Sequence, residues 1–236
     1  MPYRRLPNTD AGRIRAIQTA LKQLQSQKDE HIFHEINVPL LQSELAEFER
    51  LYKHYNDALR MQVTASKKYQ KLFKEAKLYI SHFIQVLNLA VIRKEIKKEL
   101  KPLYGLDIDS NLVPEMTSNE HILEWGERII SGENLRKLQG GAPLYNPSIA
   151  RVNVLYSQFK EVCFSYKLYQ ETTNTHQEKL KTKRTEIDKR IQTLWNHIEN
   201  HFAELNPDEH IKECKKWGVV YYLRKNERKV ETNEYN

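Results

Sequence analysis

The chain has 236 residues and a formal net charge of +7, with 29% charged and 39% hydrophobic residues. This balance is typical of a folded protein with much solvated helix surface, and it argues against a disordered chain. Seven glycines and eight prolines are too few for the many turns of an all-β or doubly wound fold. We therefore expect an all-α protein.

The first nine residues contain two prolines, which disfavour helix at the residues before them, and we expect an extended arm there. This segment shows no apolar stretch typical of a secretory signal. Thr9 or Asp10 can cap a first helix that runs to about Gln27. The apolar residues of this helix recur at steps of three and four, which predicts that one face covers a larger core.

An alternation of four- and three-residue steps, mostly apolar, runs from Leu41 to Lys94. Such spacing is typical of a coiled coil, because it keeps one narrow seam of a helix against a partner helix. We predict a long helix over about residues 40–100, ended by Pro102 and Gly105. The following residues, up to Thr117, are interpreted as an irregular connection.

Ser118 has a side chain that can cap a shorter helix extending to about Gln139. Two glycines weaken this helix, and a break near Ser131-Gly132 is expected. The glycine pair at 140–141 then ends it.

A second long helix is predicted over about residues 148–205, with the same alternation. If the two long helices are antiparallel, their polar seam positions can meet, because a buried polar group needs a polar partner. This hypothesis places Gln62 opposite Gln177 and Ser66 opposite Thr173, and it also places Ile80 opposite Phe159. The alternative is that both midsections are exposed or bent.

Residues 78–92 are apolar on nearly every side, so we expect neighbouring helices to surround them. The helix that begins at Ser118 would cover this end of the pair, and the first helix would cover the other. The fold class is therefore an elongated all-α bundle on two long antiparallel helices, with shorter helices over its ends. We assign it to one domain, residues 1–216.

Residues 217–236 are predicted to form one short strand and a disordered basic tail. The strand spans Val219–Leu223, the clearest β pattern in the chain. It could pair with Ile32–Val38, or with a second subunit by strand addition.

Three segments carry a resemblance to known proteins. They are the opening M-P-Y-R-R-L-P-N-T-D, the central K-L-Y-I-S-H-F-I-Q-V-L-N at 77–88 and the closing G-V-V-Y-Y-L-R-K at 218–225. They resemble segments of an uncharacterised family of all-helical bacterial proteins. The resemblance implies a bacterial origin and carries no activity or site residue onto this chain.

The histidines and cysteines are the residues most suited to catalysis or metal binding. None of the nine histidines follows a Glu or Asp at the spacing of a di-iron bundle. His197 and His201 share a helix face, but the Glu of a zincin motif is missing, so a structural role is favoured. Cys163 lies on the apolar seam, and Cys214 lies among lysines. We predict no catalytic residue, no metal site and no cofactor.

Basic residues cluster on both long helices, and they are the candidates for contact with an anion or nucleic acid. The candidates are Lys67, Lys68, Lys71, Lys74, Lys181, Lys183 and Arg184. Proteins that bind single strands pair such charge with exposed aromatic residues, whereas the tyrosines here fall mostly on the seams.

We therefore predict a structural or protein–protein interaction module without catalytic activity, in a bacterial cytoplasm. The alternative is a basic helical rod that binds nucleic acid non-specifically. The expected partner is an unidentified protein or a second copy of the chain, reached through residues 78–92 or the C-terminal strand. No membrane association is expected, because the most apolar run is too short and too polar to span a bilayer.

Overall fold

Two long helices dominate the computed structural model, which describes residues 2–26 and 36–222. They contain 55 and 53 residues and pack together. In chain order the elements are β1 (Tyr3–Arg4), α1 (Asp10–Ser26), α2 (Val38–Ile92), a 3₁₀ helix (Lys98–Tyr104), α3 (Asn119–Leu138), α4 (Ile149–His201), α5 (Pro207–Lys216) and β2 (Tyr221–Tyr222). The predicted all-α fold, built on α2 and α4 with shorter helices packed against them, is confirmed.

A polar side chain accepts a backbone hydrogen bond at the start of several helices, which satisfies one of the free N–H groups of the first turn. The capping residues are Thr9 before α1, Asn37 before α2, Ser118 before α3 and Asn206 before α5. Thr9 is thus the cap of α1, and the predicted cap at Ser118 is confirmed.

Helix α2 ends at Ile92, about two turns before the end that the sequence predicted near Leu100. Lys94 adopts a left-handed conformation, with φ of 63°. The N–H groups of Lys94 and Glu95 donate to the carbonyl groups three and five residues earlier, as in a Schellman cap. Pro102 lies inside the separate 3₁₀ helix and does not end α2.

The described chain forms two compact units, to which α2 and α4 both contribute. Unit 1 comprises residues 1–57 and 174–236, and unit 2 comprises residues 58–173. The predicted single domain at residues 1–216 stays a prediction.

In unit 1, α1 packs over the first part of α2 and the last part of α4, as expected from its apolar face. The largest buried side chains of this core are Phe48, Trp195 and Trp217. Trp217 and Val219 follow α5 and are buried in the same core, so the chain beyond residue 216 begins as part of unit 1.

The strand β2 pairs antiparallel with β1, and Tyr3 lies opposite Tyr222. The N–H of Arg5 donates to the carbonyl of Val220 at 3.1 Å and extends the ladder by one bond. The sequence did not predict this partner. Of the two expected alternatives, Ile32–Val38 lies partly outside the described residues, and pairing with a second subunit stays a prediction. The N-terminal arm occupies this edge of β2, and the predicted disordered tail lies outside the described residues.

In unit 2, α3 and the 3₁₀ helix cover the second part of α2 and the first part of α4, which confirms the predicted cover. Helix α3 is continuous, so the predicted break near Ser131-Gly132 is wrong. A Cβ at Gly132 would lie 2.7 Å from the carbonyl oxygen of Leu103. The glycine therefore permits close packing of α3 on the 3₁₀ helix, and this packing outweighs its low helix propensity.

Aromatic contacts define the register of α2 and α4 within unit 2. Tyr69 stacks on Tyr166 with 4.7 Å between ring centroids, and Phe73 meets Phe159 edge-on at 5.9 Å. The sequence had placed Ile80 opposite Phe159, so the observed contacts are displaced from the predicted register by about one to two helical turns.

The predicted polar pairs are not formed as expected. Gln177 is exposed, whereas Thr173 is buried. The Thr173 hydroxyl donates to the carbonyl of Tyr169 in its own helix, at 2.9 Å. Ser66 Oγ accepts a long hydrogen bond of 3.5 Å from Gln70 on its own helix. Each hydroxyl is thus satisfied locally, and helix pairing is not needed to satisfy it.

Candidate functional site

The outer stripe is an exposed line of side chains along the part of α2 that belongs to unit 2. Its members recur at steps of three and four residues, so they share one face of the helix. They are Lys67, Lys71, Lys74, Leu78, His82, Gln85, Leu89 and Ile92, and all are exposed. The stripe is basic at its start and mainly apolar at its end.

The apolar end of the outer stripe was not foreseen. Leu78, Leu89 and Ile92 are 62%, 50% and 59% exposed. The expectation that neighbouring helices surround residues 78–92 on every side is therefore wrong. Helix α3 covers only the opposite face, where Ile80, Leu87 and their neighbours are buried.

Four predicted basic residues lie at the basic end of this stripe or beside it: Lys67, Lys68, Lys71 and Lys74. Only Lys71 has an ion pair in the described chain, with Glu75 at 3.9 Å on the surface. An exposed pair of this kind contributes little to stability, so these ammonium groups are available to a partner.

The predicted basic residues of α4 have acidic partners inside unit 1. Lys183 Nζ lies 2.6 Å from a carboxylate oxygen of Glu47, and Arg184 makes two bonds of 2.7 Å to Asp10. These hydrogen bonds raise the pKa of Lys183 and of Arg184 above their ordinary values. Lys181 pairs with Glu178 on the surface. The structure thus assigns Lys183 and Arg184 to internal ion pairs.

Tyr104, Glu133 and Arg136 form a buried polar cluster in unit 2 that the sequence did not predict. Tyr104 donates to Glu133 at 2.6 Å, and Arg136 donates to both residues. Arg136 and Glu133 also bond the backbone of Ala142 and Leu144, which anchors the loop after α3. Burial, followed by the bond to Glu133, raises the pKa of Tyr104 far above its ordinary value. In the sequence, this cluster is indicated only by the three-residue spacing of Glu133 and Arg136, which allows an ion pair on one helix.

The histidines and cysteines were the other candidates for chemistry. Across the described ranges 2–26 and 36–222, no three His, Cys, Asp or Glu side chains gather as metal ligands would. His201 is exposed and its ring packs edge-on against Phe202. Cys163 and Cys214 are free thiols, and burial raises the pKa of both.

Within the part of the chain that the structure describes, no helix combines the length and the apolar character needed to cross a bilayer. Comparison with known proteins found no matching family model, no matching curated protein and no matching solved structure.

Proposed function

We propose that the protein is a non-catalytic interaction module that associates with a second copy of itself through the apolar end of the outer stripe. The observation that carries this proposal is the exposure of Leu78, Leu89 and Ile92 on one face of a continuous helix. Exposed apolar side chains that cluster on one face are typical of interaction sites.

The order of residues along the stripe suits an antiparallel partner of the same sequence. With Gln85 of each copy on a two-fold axis, Leu78 of one copy lies opposite Ile92 of the other. A two-fold interface needs such self-complementarity, because the same patch serves both copies. Gln85 then meets its own equivalent, and two amides can exchange hydrogen bonds.

Charges next to the stripe favour the same arrangement. Glu95 and Glu99 follow the end of α2 and are exposed, and Glu95 also forms an ion pair with Arg93 at 2.7 Å. In the antiparallel pair this acidic segment lies at the same end of the interface as the basic end of the other copy's stripe, which contains Lys71 and Lys74. Opposite charges at an interface rim steer association and select the orientation. A parallel pair would bring the lysines of both copies together.

The alternative, non-specific binding of nucleic acid along the helices, has weaker support. Lys183 and Arg184 belong to ion pairs, and the basic end of the outer stripe carries no aromatic residue for stacking on bases. Free thiols at both cysteines are in keeping with the bacterial cytoplasm that we propose as the setting.

Sedimentation velocity over a concentration series tests the proposal. We expect a concentration-dependent dimer, because a stripe of this size makes a small interface of modest affinity. The double variant Leu89→Glu and Ile92→Glu should be monomeric throughout. The matched control is Leu168→Glu, which changes a leucine of α4 that is 54% exposed and lies outside the stripe.

Charge reversal tests the antiparallel orientation. Lys71→Glu should weaken the dimer, and adding Glu99→Lys to the same chain should restore it. A wild-type chain that is monomeric at every concentration would contradict the proposal. A dimer that withstands the double glutamate variant would also contradict it.

A further inference from the structure

A second exposed surface lies in unit 1, on the outer face of the β1–β2 ribbon. Tyr3 and Tyr222 are cross-strand neighbours there, with ring centroids 6.3 Å apart. They are 43% and 41% exposed, although most other aromatic residues of the described chain are more deeply buried. The ribbon therefore presents an aromatic pair to solvent.

Two arginines that line one groove with Tyr222 have no acidic partner among the described residues. The Arg5 guanidinium lies 5.9 Å from the ring centroid of Tyr222, and Arg15 projects from α1. Neither forms an ion pair with any described residue. Their neighbours in sequence differ, because Arg4 pairs with Glu199 and Arg13 pairs with Asp188. The charges of Arg5 and Arg15 are thus available to a ligand.

A groove joins Tyr222 to both arginines, and Tyr3 lies beside Tyr222 at its edge. It has a volume of about 600 Å³ and is lined by Arg5, Arg15, Thr19, Gly218, Tyr222 and nearby residues of the arm. Gly218, with φ of +87°, brings the chain close to α1, where an added Cβ would lie 3.0 Å from the carbonyl oxygen of Ala16. The volume lies within the range of small-molecule sites. The groove thus has space for a ligand beside both cations.

We propose that this groove binds a nucleobase that carries a phosphate group. The base would stack on the ring of Tyr222, with Tyr3 as its aromatic neighbour, because every base has an aromatic face and such stacking tolerates sequence. Arg5 and Arg15 would bind the phosphate, since guanidinium groups form charge-assisted hydrogen bonds with phosphate oxygens. A free nucleotide and a single strand both supply this chemistry. The site is separate from the outer stripe, so it is independent of the proposed self-association.

Binding to the full chain tests the proposal with two probes. One is fluorescein-labelled oligothymidylate, followed by anisotropy, and the other is AMP, followed by calorimetry. We expect at least one to bind at moderate salt. Binding of AMP would identify a free nucleotide as a sufficient ligand, and binding of the oligonucleotide alone would identify a single strand.

Variants at the groove separate stacking from charge. Tyr222→Leu with Tyr3→Leu should weaken binding by roughly tenfold or more, the loss typical of base stacking. The matched pair Tyr222→Phe and Tyr3→Phe keeps the rings and should bind as wild type. Arg5→Glu with Arg15→Glu should abolish binding, whereas Lys137→Glu with Lys167→Glu makes the same charge change at exposed positions of unit 2 outside the stripe and should have little effect.

Thermal unfolding of each variant shows whether its fold is retained. If the leucine pair unfolds, the phenylalanine pair and the arginine pair still test the roles of the rings and the charges. Failure of both probes to bind would overturn the proposal. Equal binding by the folded leucine and wild-type chains would also overturn it, and so would an equal loss in the lysine variant. Loss of binding in the phenylalanine pair would contradict the stacking role.

Discussion

Arg184 and Asp10 form a bidentate ion pair that joins α4 to the first turn of α1. Both bonds from the guanidinium to the carboxylate measure 2.7 Å. Asp10 also lies 3.4 Å from Arg13, which in turn pairs with Asp188 of α4. This network fixes α1 on α4, so a residue predicted to contact nucleic acid has an internal structural role.

Replacing Arg184 by methionine should destabilise unit 1 by roughly 1–3 kcal/mol, the range for hydrogen bonds to charged groups that are partly buried. The free energy of unfolding from urea denaturation measures this effect. Lys181→Met is the control, because its pair with Glu178 is exposed and should contribute at most about 0.5 kcal/mol. Equal stability of the two variants would contradict the structural role of Arg184.

The ion pairs of Lys183 predict a loss of stability at alkaline pH. Hydrogen bonds to Glu47 and then to Glu186 raise the pKa of Lys183 in the folded chain above its unfolded value of 10.5. The stabilising contribution is therefore complete below pH 10.5 and is lost as pH rises through the folded pKa. The difference in unfolding free energy between wild type and Lys183→Met should shrink above that pH. Lys179→Met, an exposed neighbour, should show no such change.

Glu133→Gln tests the buried polar cluster of unit 2. The change removes the charge that balances Arg136, and it should cost roughly 3–5 kcal/mol, as is usual when one partner of a buried pair is lost. Chemical denaturation measures the cost. Glu127→Gln makes the same substitution at an exposed position of the same helix and serves as control. A loss below about 1 kcal/mol in Glu133→Gln would show that Arg136 reaches solvent when its partner is removed.

Gly132→Ala tests the close packing of α3 on the 3₁₀ helix. Alanine has the higher helix propensity, by about 1 kcal/mol, and would stabilise an exposed helix position. Here its Cβ would lie 2.7 Å from the backbone oxygen of Leu103, so we expect destabilisation of roughly 1–3 kcal/mol. Ser131→Ala, at the exposed neighbouring position, should be neutral or slightly stabilising. A more stable Gly132→Ala chain would contradict the packing.

Periodicity and capping chemistry predicted the helical fold, since both are local properties of the chain. The steps from Leu41 to Lys94 identified α2, and Ser118 identified the start of α3. The end of α2 was misplaced because Lys94, unlike glycine, gives no local signal for a left-handed cap. The end was instead inferred from Pro102, which lies in the next element.

The candidate sites were harder to predict, because exposure depends on what packs against each face. Apolar residues on several sides of the 78–92 segment could not reveal that Leu89 faces solvent while Leu87 is buried. The sequence also could not distinguish Arg4, which pairs with Glu199, from Arg5, which has no carboxylate partner among the described residues. Carboxylates of α4, far away in the sequence, form the ion pairs that neutralise Arg4 and Arg13.

The sequence by itself determined that the chain is all-α, that two long helices organise it and that shorter helices cover them, because the apolar spacing carries this information locally. Tertiary structure decided the register of α2 on α4, the pairing of β2 with β1 and the positions left exposed. Each of these depends on contacts between residues far apart in the chain. The outer stripe and the tyrosine pair of the ribbon became visible only once those contacts were known.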